Sequence, residues 1–429
     1  MQTIVIVGGG AGGLELAASL GSRLGKNKRA KIILVDRNPN HIWKPLLHEV
    51  ATGSLDMSID GVSYRAHSGQ HYYQFQLGTM TGLNGAEKQI HLAAVDDEYG
   101  VQVLPERVVS YDTLVMAVGS VSNDFGTPGV AEHSYFLDSH QQAERFQRGL
   151  LNSFMRINQQ APDKKLRLAI VGGGATGVEL AAELTHVANL LKQYGMPEMS
   201  ASRLQVDLLE AGPSILPALP ARISSAARRE LQRLGVIVHE NTRVTRADEN
   251  GYVDQNGDLI AADLMVWAAG VKAPDFIREL EYFELGRGGQ IVVRPGLQSS
   301  VDDNIWVLGD CAACQQPDGS WVPPRAQSAH QMASHIAASI RRQMKGRPVK
   351  PYLYKDHGSL VNLSRYSTVG SLMGNLSGGT MFVEGKIARL MYMSLYRMHQ
   401  LSIHGWLKGM CLILAQKVGH MVQPKIKLH

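Results

Sequence analysis

Residues 4–18 read Ile-Val-Ile-Val-Gly-Gly-Gly-Ala-Gly-Gly-Leu-Glu-Leu-Ala-Ala, and residues 168–182 read Leu-Ala-Ile-Val-Gly-Gly-Gly-Ala-Thr-Gly-Val-Glu-Leu-Ala-Ala. In each copy an apolar run leads through GxGxxG into a helical pattern. The first glycine makes the tight turn, the second lets the backbone approach a pyrophosphate, and the third lets the helix pack on the strand. The phosphates then lie at a helix N-terminus, where free N–H groups favour negative charge. The sequence therefore predicts two dinucleotide sites, at Gly8, Gly10 and Gly13 and at Gly172, Gly174 and Gly177.

The remainder of each nucleotide-binding unit is also repeated. A second apolar strand ends in Asp36 in the first copy and in Glu210 in the second copy. An acid at that strand end is placed to bind both ribose hydroxyls. Further on, residues 111–119 are echoed by residues 262–270, each a buried strand closed by a small-residue turn. The alternative, glycine-rich turns in an ordinary parallel sheet, would require these separate matches to be coincidences.

The 429 residues exceed one typical domain. We predict an α/β fold with two Rossmann-like dinucleotide-binding domains and a C-terminal amphipathic region that binds membranes. The first domain is predicted to be discontinuous, because residues 299–310 form an apolar strand ending in Gly309 and Asp310 that suits a return to the first sheet. The predicted domains are residues 1–125 with 290–345, residues 126–289, and residues 346–429. A loop is predicted around the HIWKPLLHEV segment, residues 41–50.

Composition and charge restrict the function classes. Hydrophobic residues make up 44% of the chain and charged residues 19%, and no apolar run is long enough to span a bilayer. The first strand begins by residue 4, which leaves no room for a secretory signal, so we expect a cytoplasmic protein. The net charge is +5, but residues 385–429 carry seven Lys and Arg and no acid, which leaves −2 for the rest.

The basic tail is also rich in Leu, Met, Ile, Tyr and Trp. Nucleic acid is one interpretation, but this mixture suits an anionic lipid surface better. A helix from Ile387 would place apolar residues on one side and polar residues on the other. The alternative is an amphipathic helix packed on the core. We predict attachment to anionic lipid and no nucleic-acid binding.

Three cysteines are present, and no CxxxxC pattern follows the first glycine motif. Flavin-linked disulfide chemistry of the glutathione reductase kind is therefore unsupported. Cys311 and Cys314 have the spacing of a redox pair or half of a metal site. Because a second ligand pair is missing, we favour small buried thiols and predict no metal site.

Several segments together resemble the type II NADH:quinone oxidoreductases, which are non-proton-pumping NADH dehydrogenases within the two-dinucleotide-binding flavoproteins. The resemblance covers essentially the whole chain. Its segments include GGGAGGLE, WKPLLHEVATGSL, IVGGGATGVELAAEL, WVLGDCA, PPRAQSAHQM and the basic tail. It implies FAD on the first motif, NADH on the second, and a membrane quinone, either ubiquinone or menaquinone, as electron acceptor. It also implies a peripheral enzyme on the cytoplasmic face of the inner membrane.

The resemblance carries over residue by residue. It implies FAD contacts at Gly8, Gly10, Gly13, Asp36, Lys44, Thr52, Gly309 and Asp310. It implies NADH contacts at Gly172, Gly174, Gly177 and Glu210, with Glu179 near the nicotinamide, and quinone contacts at Gln327 and Gln331. Because Ala211 and Gly212 supply no basic group beside Glu210, we expect NADH to be preferred over NADPH.

The alternatives for these residues are structural. Glu179 is otherwise a carboxylate favoured by the helix dipole, as its repeat counterpart Glu15 illustrates. Gln327 and Gln331 share one helix face at i and i+4, and are otherwise a polar surface stripe. His330 is more often a packed or capping histidine than a proton donor.

Two other functions remain open. A sulfide:quinone oxidoreductase would need reactive cysteines facing the flavin and would lack a working NADH site. A membrane-bound NADH sensor would show slow flavin reduction and no quinone turnover. The sequence leaves the oligomeric state open, and a homodimer is compatible with it.

Overall fold

A computed structural model describes residues 1–56, 61–363, 367–373, 380–384, 396–422 and 426. The strands are Gln2–Val7, Ala30–Asp36, Asn40–His41, Val62–Ser63, Gln74–Leu77, Met80–Asn84, Gln89–Leu92, Val95–Asp96, Gln102–Leu104, Arg107–Ser110, Thr113–Met116, Val121–Ser122, Leu166–Val171, Leu204–Leu209, Ile237–His239, Val244–Asp248, Gly251–Asp254, Leu259–Ala261, Leu264–Trp267, Val271–Lys272, Ile291–Val292, Ile305–Val307, Ala312–Ala313, Gly358–Leu363, Ser367–Met373 and Thr380–Glu384. The α-helices are Ala11–Leu20, Leu47–Thr52, Tyr64–His71, Val130–His133, His140–Asn158, Ala175–Leu190, Ala221–Arg233, Phe276–Glu279, Ala326–Gln343 and Trp406–Val422. Residues 396–404 are helical as well.

The first sheet has five parallel strands, and Gln2–Val7 lies at its centre. Ile305–Val307 joins the same sheet beside Thr113–Met116, as the sequence predicts. Apart from the edge strand Gln74–Leu77, its strands are largely apolar, because helices cover both faces of such a sheet. Ala11–Leu20 packs against Ala326–Gln343 beside it. The carboxyl ends of all five strands therefore meet at one edge.

The second sheet repeats this arrangement with four parallel strands. Leu166–Val171 lies between Leu204–Leu209 and Leu264–Trp267, and Ile237–His239 forms the edge. Its core includes the inner face of His140–Asn158. That helix begins at a capping box, in which the Ser139 side chain accepts the N–H of Gln142 while the Gln142 side chain accepts the N–H of Ser139.

Three three-stranded antiparallel sheets and four two-stranded sheets accompany the two large parallel ones among the residues that the structure describes. One of them, formed by Gly358–Leu363, Ser367–Met373 and Thr380–Glu384, packs on Ala175–Leu190 and Ala221–Arg233. Within the described part of the chain, every helix is too short or too polar to cross a membrane. The predicted start of the tail helix at Ile387 lies outside the described residues.

The prediction of a loop around residues 41–50 is wrong at the end of this segment, where the helix Leu47–Thr52 begins. Leu47, Val50 and Ala51 belong to the core around the second sheet. Burying these three side chains stabilises a helical turn that the local sequence, with Pro45 before it, did not indicate. Gly53 ends the helix in the left-handed region at φ +79°.

Candidate active site

Both glycine loops have the backbone that a pyrophosphate requires. Gly8 and Gly172 lie at φ +104° and +111°, a conformation that favours glycine. A Cβ on Gly13 would overlap the carbonyl oxygen of Gly8, so the third glycine is needed for packing. Gly177 stands in the same relation to Gly172. A Cβ on Gly10 would meet nothing within 4 Å, and the same holds for Gly174. The second glycine of each loop therefore faces open space.

The acid at the end of the second strand holds each glycine loop in place. The Gly9 N–H donates to Asp36 Oδ2 at 2.6 Å, and the Gly173 N–H donates to Glu210 Oε2 at 2.8 Å. Glu210 Oε1 also accepts the N–H of Gly212 at 2.7 Å. Burial raises the pKa of Asp36 although backbone N–H groups hydrogen-bond its carboxylate. The structure thus brings the predicted acids and glycines together in both repeats.

A polar cluster lies where the predicted contacts to the other end of the flavin meet. The Ser120 hydroxyl donates to Asp310 Oδ2 at 2.7 Å. Lys44 Nζ donates to the Ser120 carbonyl oxygen at 2.8 Å and lies 3.7 Å from Asp138. Thr52 is buried elsewhere, and its hydroxyl donates to the His48 carbonyl oxygen at 3.1 Å. Ser120 connects Lys44 to Asp310, a role that sequence reasoning missed.

Glu179 lies in a buried acid–imidazole group between the helices Leu47–Thr52 and Ala175–Leu190. Glu179 Oε2 is 3.7 Å from His48 Nδ1, and both side chains are nearly inaccessible to solvent. Burial lowers the pKa of His48 to about 4, so the imidazole is neutral at pH 7. One helical turn on, Glu183 accepts the hydroxyl of Ser54 at 2.5 Å. Glu179 is therefore no ordinary solvent-exposed helix carboxylate.

Gln327 and Gln331 share a helix face, as predicted, and both bind the segment of residues 355–358. Gln327 Nε2 donates to the Gly358 carbonyl oxygen at 3.1 Å and to Asp356 at 3.3 Å. Gln331 exchanges two hydrogen bonds with the backbone of Lys355, at 2.8 and 3.0 Å. Both side-chain amides therefore hold residues 355–358 against the helix Ala326–Gln343.

Glu15 is the centre of a network that the sequence did not reveal. It is buried, and its two carboxylate oxygens lie 2.5 Å from His330 Nδ1 and 2.7 Å from His399 Nδ1. Burial opposes ionisation, but the hydrogen bonds from both histidines outweigh it and lower the pKa of Glu15. The hydrogen bond to Glu15 raises the pKa of His330. Neither the dipole interpretation of Glu15 nor the capping interpretation of His330 describes these contacts.

The network continues to the first glycine loop. His399 Nε2 lies 2.9 Å from His41 Nε2, and His41 Nδ1 lies 2.8 Å from the Gly9 carbonyl oxygen. Burial lowers the pKa of His41 to about 3. A buried hydrogen-bonded chain through two imidazoles thus joins Glu15 to the glycine loop.

The two neighbouring cysteines are inert thiols. Cys311 and Cys314 are buried, and burial raises their pKa values to about 12 and about 11. A thiol is a nucleophile only as its thiolate, so neither suits reaction with sulfide or disulfide exchange at neutral pH. This agrees with the preference for buried thiols over a redox pair.

Comparisons with known sequences and structures identify the family. Residues 2–333 match the model of the family described as pyridine nucleotide-disulphide oxidoreductase. The chain is 46% identical to a type II NADH:quinone oxidoreductase of Haemophilus influenzae, with 100% of both chains covered. It is 30% identical to the type II NADH:quinone oxidoreductase Ndh of Mycobacterium tuberculosis, over 92% of this chain and 83% of that protein.

A solved structure, described as NDH2 from Plasmodium falciparum in complex with NADH, shares the fold with a TM-score of 0.82. It is 18% identical and covers 99% of this chain and 100% of its own. The sequence relatives confirm the resemblance that the motifs indicated. The chain belongs to the pyridine nucleotide-disulphide oxidoreductase family and, within it, to the type II NADH:quinone oxidoreductases.

Proposed function

We propose that the two glycine loops hold the two dinucleotides of the NADH:quinone oxidoreductase reaction that this chain carries out. FAD binds at Gly8, Gly10 and Gly13, and NADH binds at Gly172, Gly174 and Gly177. One observation made in both repeats supports this assignment. The acid at the end of the second strand accepts a hydrogen bond from an N–H of the glycine loop, and the second glycine of the loop faces open space. In the reaction the flavin accepts hydride from NADH and passes two electrons to a quinone, without proton pumping.

The same assignment gives the domain division. Residues 1–125 with 290–345 form the FAD domain, and residues 126–289 form the NADH domain. Both dinucleotide sites lie within one chain, so the proposal does not depend on a homodimer. Residues 346–429 form the region that attaches to the membrane.

Lys44, Ser120 and Asp310 hold the second end of the flavin site. The chain of hydrogen bonds from Lys44 through Ser120 to Asp310 fixes a cation and an anion at the carboxyl edge of the first sheet. Gly309, at φ +76°, lets the backbone turn there. Asp310 binds the ribityl and phosphate portion, and Lys44 contributes a positive charge near the ring. Pre-ordered groups of this kind bind without a large cost in side-chain entropy.

Glu179 positions the nicotinamide. Its carboxylate is an acceptor for the carboxamide N–H groups, and neutral His48 beside it adds no competing cation. Glu210 binds the adenosine ribose through carboxylate oxygens that also accept hydrogen bonds from the N–H groups of Gly173 and Gly212. A 2′-phosphate would meet this carboxylate, so NADPH binds poorly.

Gln327 and Gln331 act on the quinone side by holding residues 355–358 in position. Neutral amides are suited to this place, because a quinone path is apolar and a charge there would be costly to desolvate. Their hydrogen bonds to the backbone of Lys355 and Gly358 set the spacing between this helix and the following strand.

The tail attaches the enzyme to anionic lipid at the cytoplasmic face of the membrane. The helix Trp406–Val422 presents large apolar side chains to solvent, and the tail sequence is basic. Exposed Leu and Trp beside Lys are suited to a lipid interface, where both apolar burial and charge contribute. Nucleic acid would use the charge and leave these side chains in water.

Separate measurement of the two half-reactions tests the assignment. Anaerobic stopped-flow should show flavin bleaching by NADH and its recovery on addition of a short-chain ubiquinone. Gln331→Leu should slow the recovery and leave the bleaching nearly unchanged. The exposed Gln102→Leu serves as control and should change neither rate. If Gln331→Leu slows both half-reactions equally, the quinone-side assignment is wrong, and bleaching without recovery in the unaltered enzyme would support an NADH sensor.

A further inference from the structure

Three histidines come together away from both glycine loops. His67 and His71 lie one turn apart on the helix Tyr64–His71, and His404 lies at the end of the helical residues 396–404. One ring nitrogen of each histidine lies within 4.8 Å of one nitrogen of both others. The His67 and His71 rings stack with centroids 4.1 Å apart, and the His404 ring meets His67 edge-on at 5.3 Å. Imidazole binds a metal ion through a lone pair in the plane of the ring, so the stacked His67 and His71 rings must rotate for both nitrogens to face one ion.

The hydrogen bonds around His67 leave one nitrogen suited to a metal ion. His67 Nε2 donates to the Ile403 carbonyl oxygen at 2.8 Å. Metal-binding histidines commonly donate the second N–H to such a carbonyl, which fixes the ring and its tautomer. His67 Nδ1 then carries a lone pair, and it lies 2.9 Å from the Tyr73 hydroxyl. A metal ion bound at Nδ1 would take the place of this hydroxyl oxygen, so the Tyr73 side chain must shift when the ion binds.

His71 supplies a second, independent observation. Its Nε2 atom is buried and has no hydrogen-bond partner. A buried polar nitrogen without a partner costs free energy of about 1 to 3 kcal/mol, and such an atom calls for a physical explanation. A metal ion bound by this nitrogen removes that cost.

The surroundings leave room for a further ligand and include an opposing charge. A cavity of about 200 Å³ adjoins His67 and His404 and is also lined by Gln70, Gln400 and Gln416. It is large enough for a metal-bound water. The opposing charge is Lys408, whose exposed ammonium donates to Gln70 at 3.4 Å and is screened by solvent. Burial lowers the pKa values of all three histidines, so they are neutral ligands at pH 7.

We propose that His67, His71 and His404 form a site for a divalent transition-metal ion, with Zn²⁺ as the ion to be tested. Three imidazoles and a water are a common ligand set for zinc, and imidazole suits borderline metals over Ca²⁺ or Mg²⁺. The ion would join the flavin-domain helix Tyr64–His71 to the C-terminal helices. It would therefore restrain the helix Trp406–Val422, which begins two residues after His404. The sequence alone predicted no metal site, because Cys311 and Cys314 lack a second ligand pair and His404 lies far along the chain from His67 and His71.

Equilibrium dialysis of the full-length, FAD-loaded protein against buffered Zn²⁺ tests the site, with bound zinc measured by mass spectrometry. We expect one high-affinity Zn²⁺ per chain. His404→Gln and His71→Gln should each weaken it by at least about 100-fold, because even partners that only orient metal ligands change affinity 10- to 100-fold. His91→Gln removes an exposed histidine elsewhere and should change nothing. Flavin content verifies that each variant is folded. If His404→Gln loses its flavin, the zinc affinity of His71→Gln decides the test.

Hydrogen exchange of residues 406–422 gives a readout that adventitious zinc would not move. Zn²⁺ should slow exchange there in the unaltered protein and in His91→Gln, and should have no effect in His71→Gln. Equal zinc affinity in all variants would overturn the site and would mean that the three rings only pack against one another. Zinc binding that leaves exchange unchanged would overturn the restraint on the tail.

Discussion

The exposed face of the helix Trp406–Val422 offers the sharpest test of membrane attachment. Its large apolar side chains point into solvent: Trp406 is 69% exposed, Leu407 74%, Met410 46%, Leu414 64% and Val418 50%. From Leu407 to Val418 they are spaced three or four residues apart, which places them along one stripe, and Trp406 comes directly before Leu407. We choose Leu407→Gln with Leu414→Gln as the perturbation, because both leucines are mostly exposed and their replacement leaves the protein core intact.

The magnitude follows from the exposed fractions. Full burial of a leucine side chain is worth about 1.5 to 3 kcal/mol. Scaled by exposures of 74% and 64%, the two leucines together contribute about 2 to 4 kcal/mol to lipid binding. At 1.4 kcal/mol per factor of ten, the double variant should partition into vesicles about 30-fold to 1000-fold less well. Removing one lysine near the surface costs about 1 kcal/mol, so Lys408→Gln should lower partitioning only about fivefold.

The assay is sedimentation with vesicles of neutral lipid alone and with added anionic lipid, at low and at physiological salt. The loss in the double leucine variant should be the same for both lipids, whereas the Lys408→Gln loss should occur on anionic lipid and shrink with salt. Leu259→Gln, a 52% exposed leucine in the strand Leu259–Ala261, is the matched control. Unchanged partitioning of a flavin-loaded double leucine variant would refute the reasoning.

Further predictions concern the dinucleotide sites and the buried acids. Glu210→Ala with Ala211→Arg should narrow the preference for NADH over NADPH at least tenfold in kcat/KM, whereas a preference as strong as in the unaltered enzyme would contradict the role of the carboxylate. Glu179→Gln should slow anaerobic flavin reduction by NADH about 10- to 100-fold, since a hydrogen bond to a charged group is worth about 1.5 to 3 kcal/mol, and should spare reoxidation by quinone; equal losses would argue against it. Glu15→Gln should reduce the free energy of unfolding by about 1.5 to 3 kcal/mol, the value of a hydrogen bond to a charged group. The pKa of Glu15 is lowered from 4.5 and that of His330 is raised from 6.5, so both groups are charged between these values. In urea titrations the loss of stability should therefore be greatest between pH 4.5 and 6.5 and smaller on either side. A loss that does not depend on pH would count against the pair.

The sequence sufficed for those parts of the fold that depend on near neighbours. The glycine loops, the strands that precede them and the acids Asp36 and Glu210 all lie within about 40 residues of their partners, and their spacing is set by the turn from strand to helix. The return of Ile305–Val307 to the first sheet was also predictable, because an apolar strand ending in Gly-Asp has few other places in an α/β fold.

Contacts between distant residues were not predictable. Glu15 binds His330 and His399, which are 315 and 384 residues away along the chain. No local pattern distinguishes these histidines from packed or capping ones. The helix Leu47–Thr52 was missed for a similar reason, since it is stabilised by packing against the second sheet and its core.

The pair Glu15 and Glu179 shows how one repeated motif acquires two chemistries. Both glutamates hold the same position in the helix after a glycine loop, and both are buried. Glu15 is covered by a C-terminal helix that brings His399 Nδ1 to 2.7 Å from its carboxylate, and although burial opposes ionisation, the hydrogen bonds from His330 and His399 lower the pKa of Glu15. Glu179 is covered by Leu47–Thr52, which brings His48, a neutral imidazole. The motif fixes where each carboxylate stands, and the element packed over it decides its partner. The first glutamate therefore joins the helix after the first glycine loop to the C-terminal helical residues 396–404, while the second contacts the helix Leu47–Thr52.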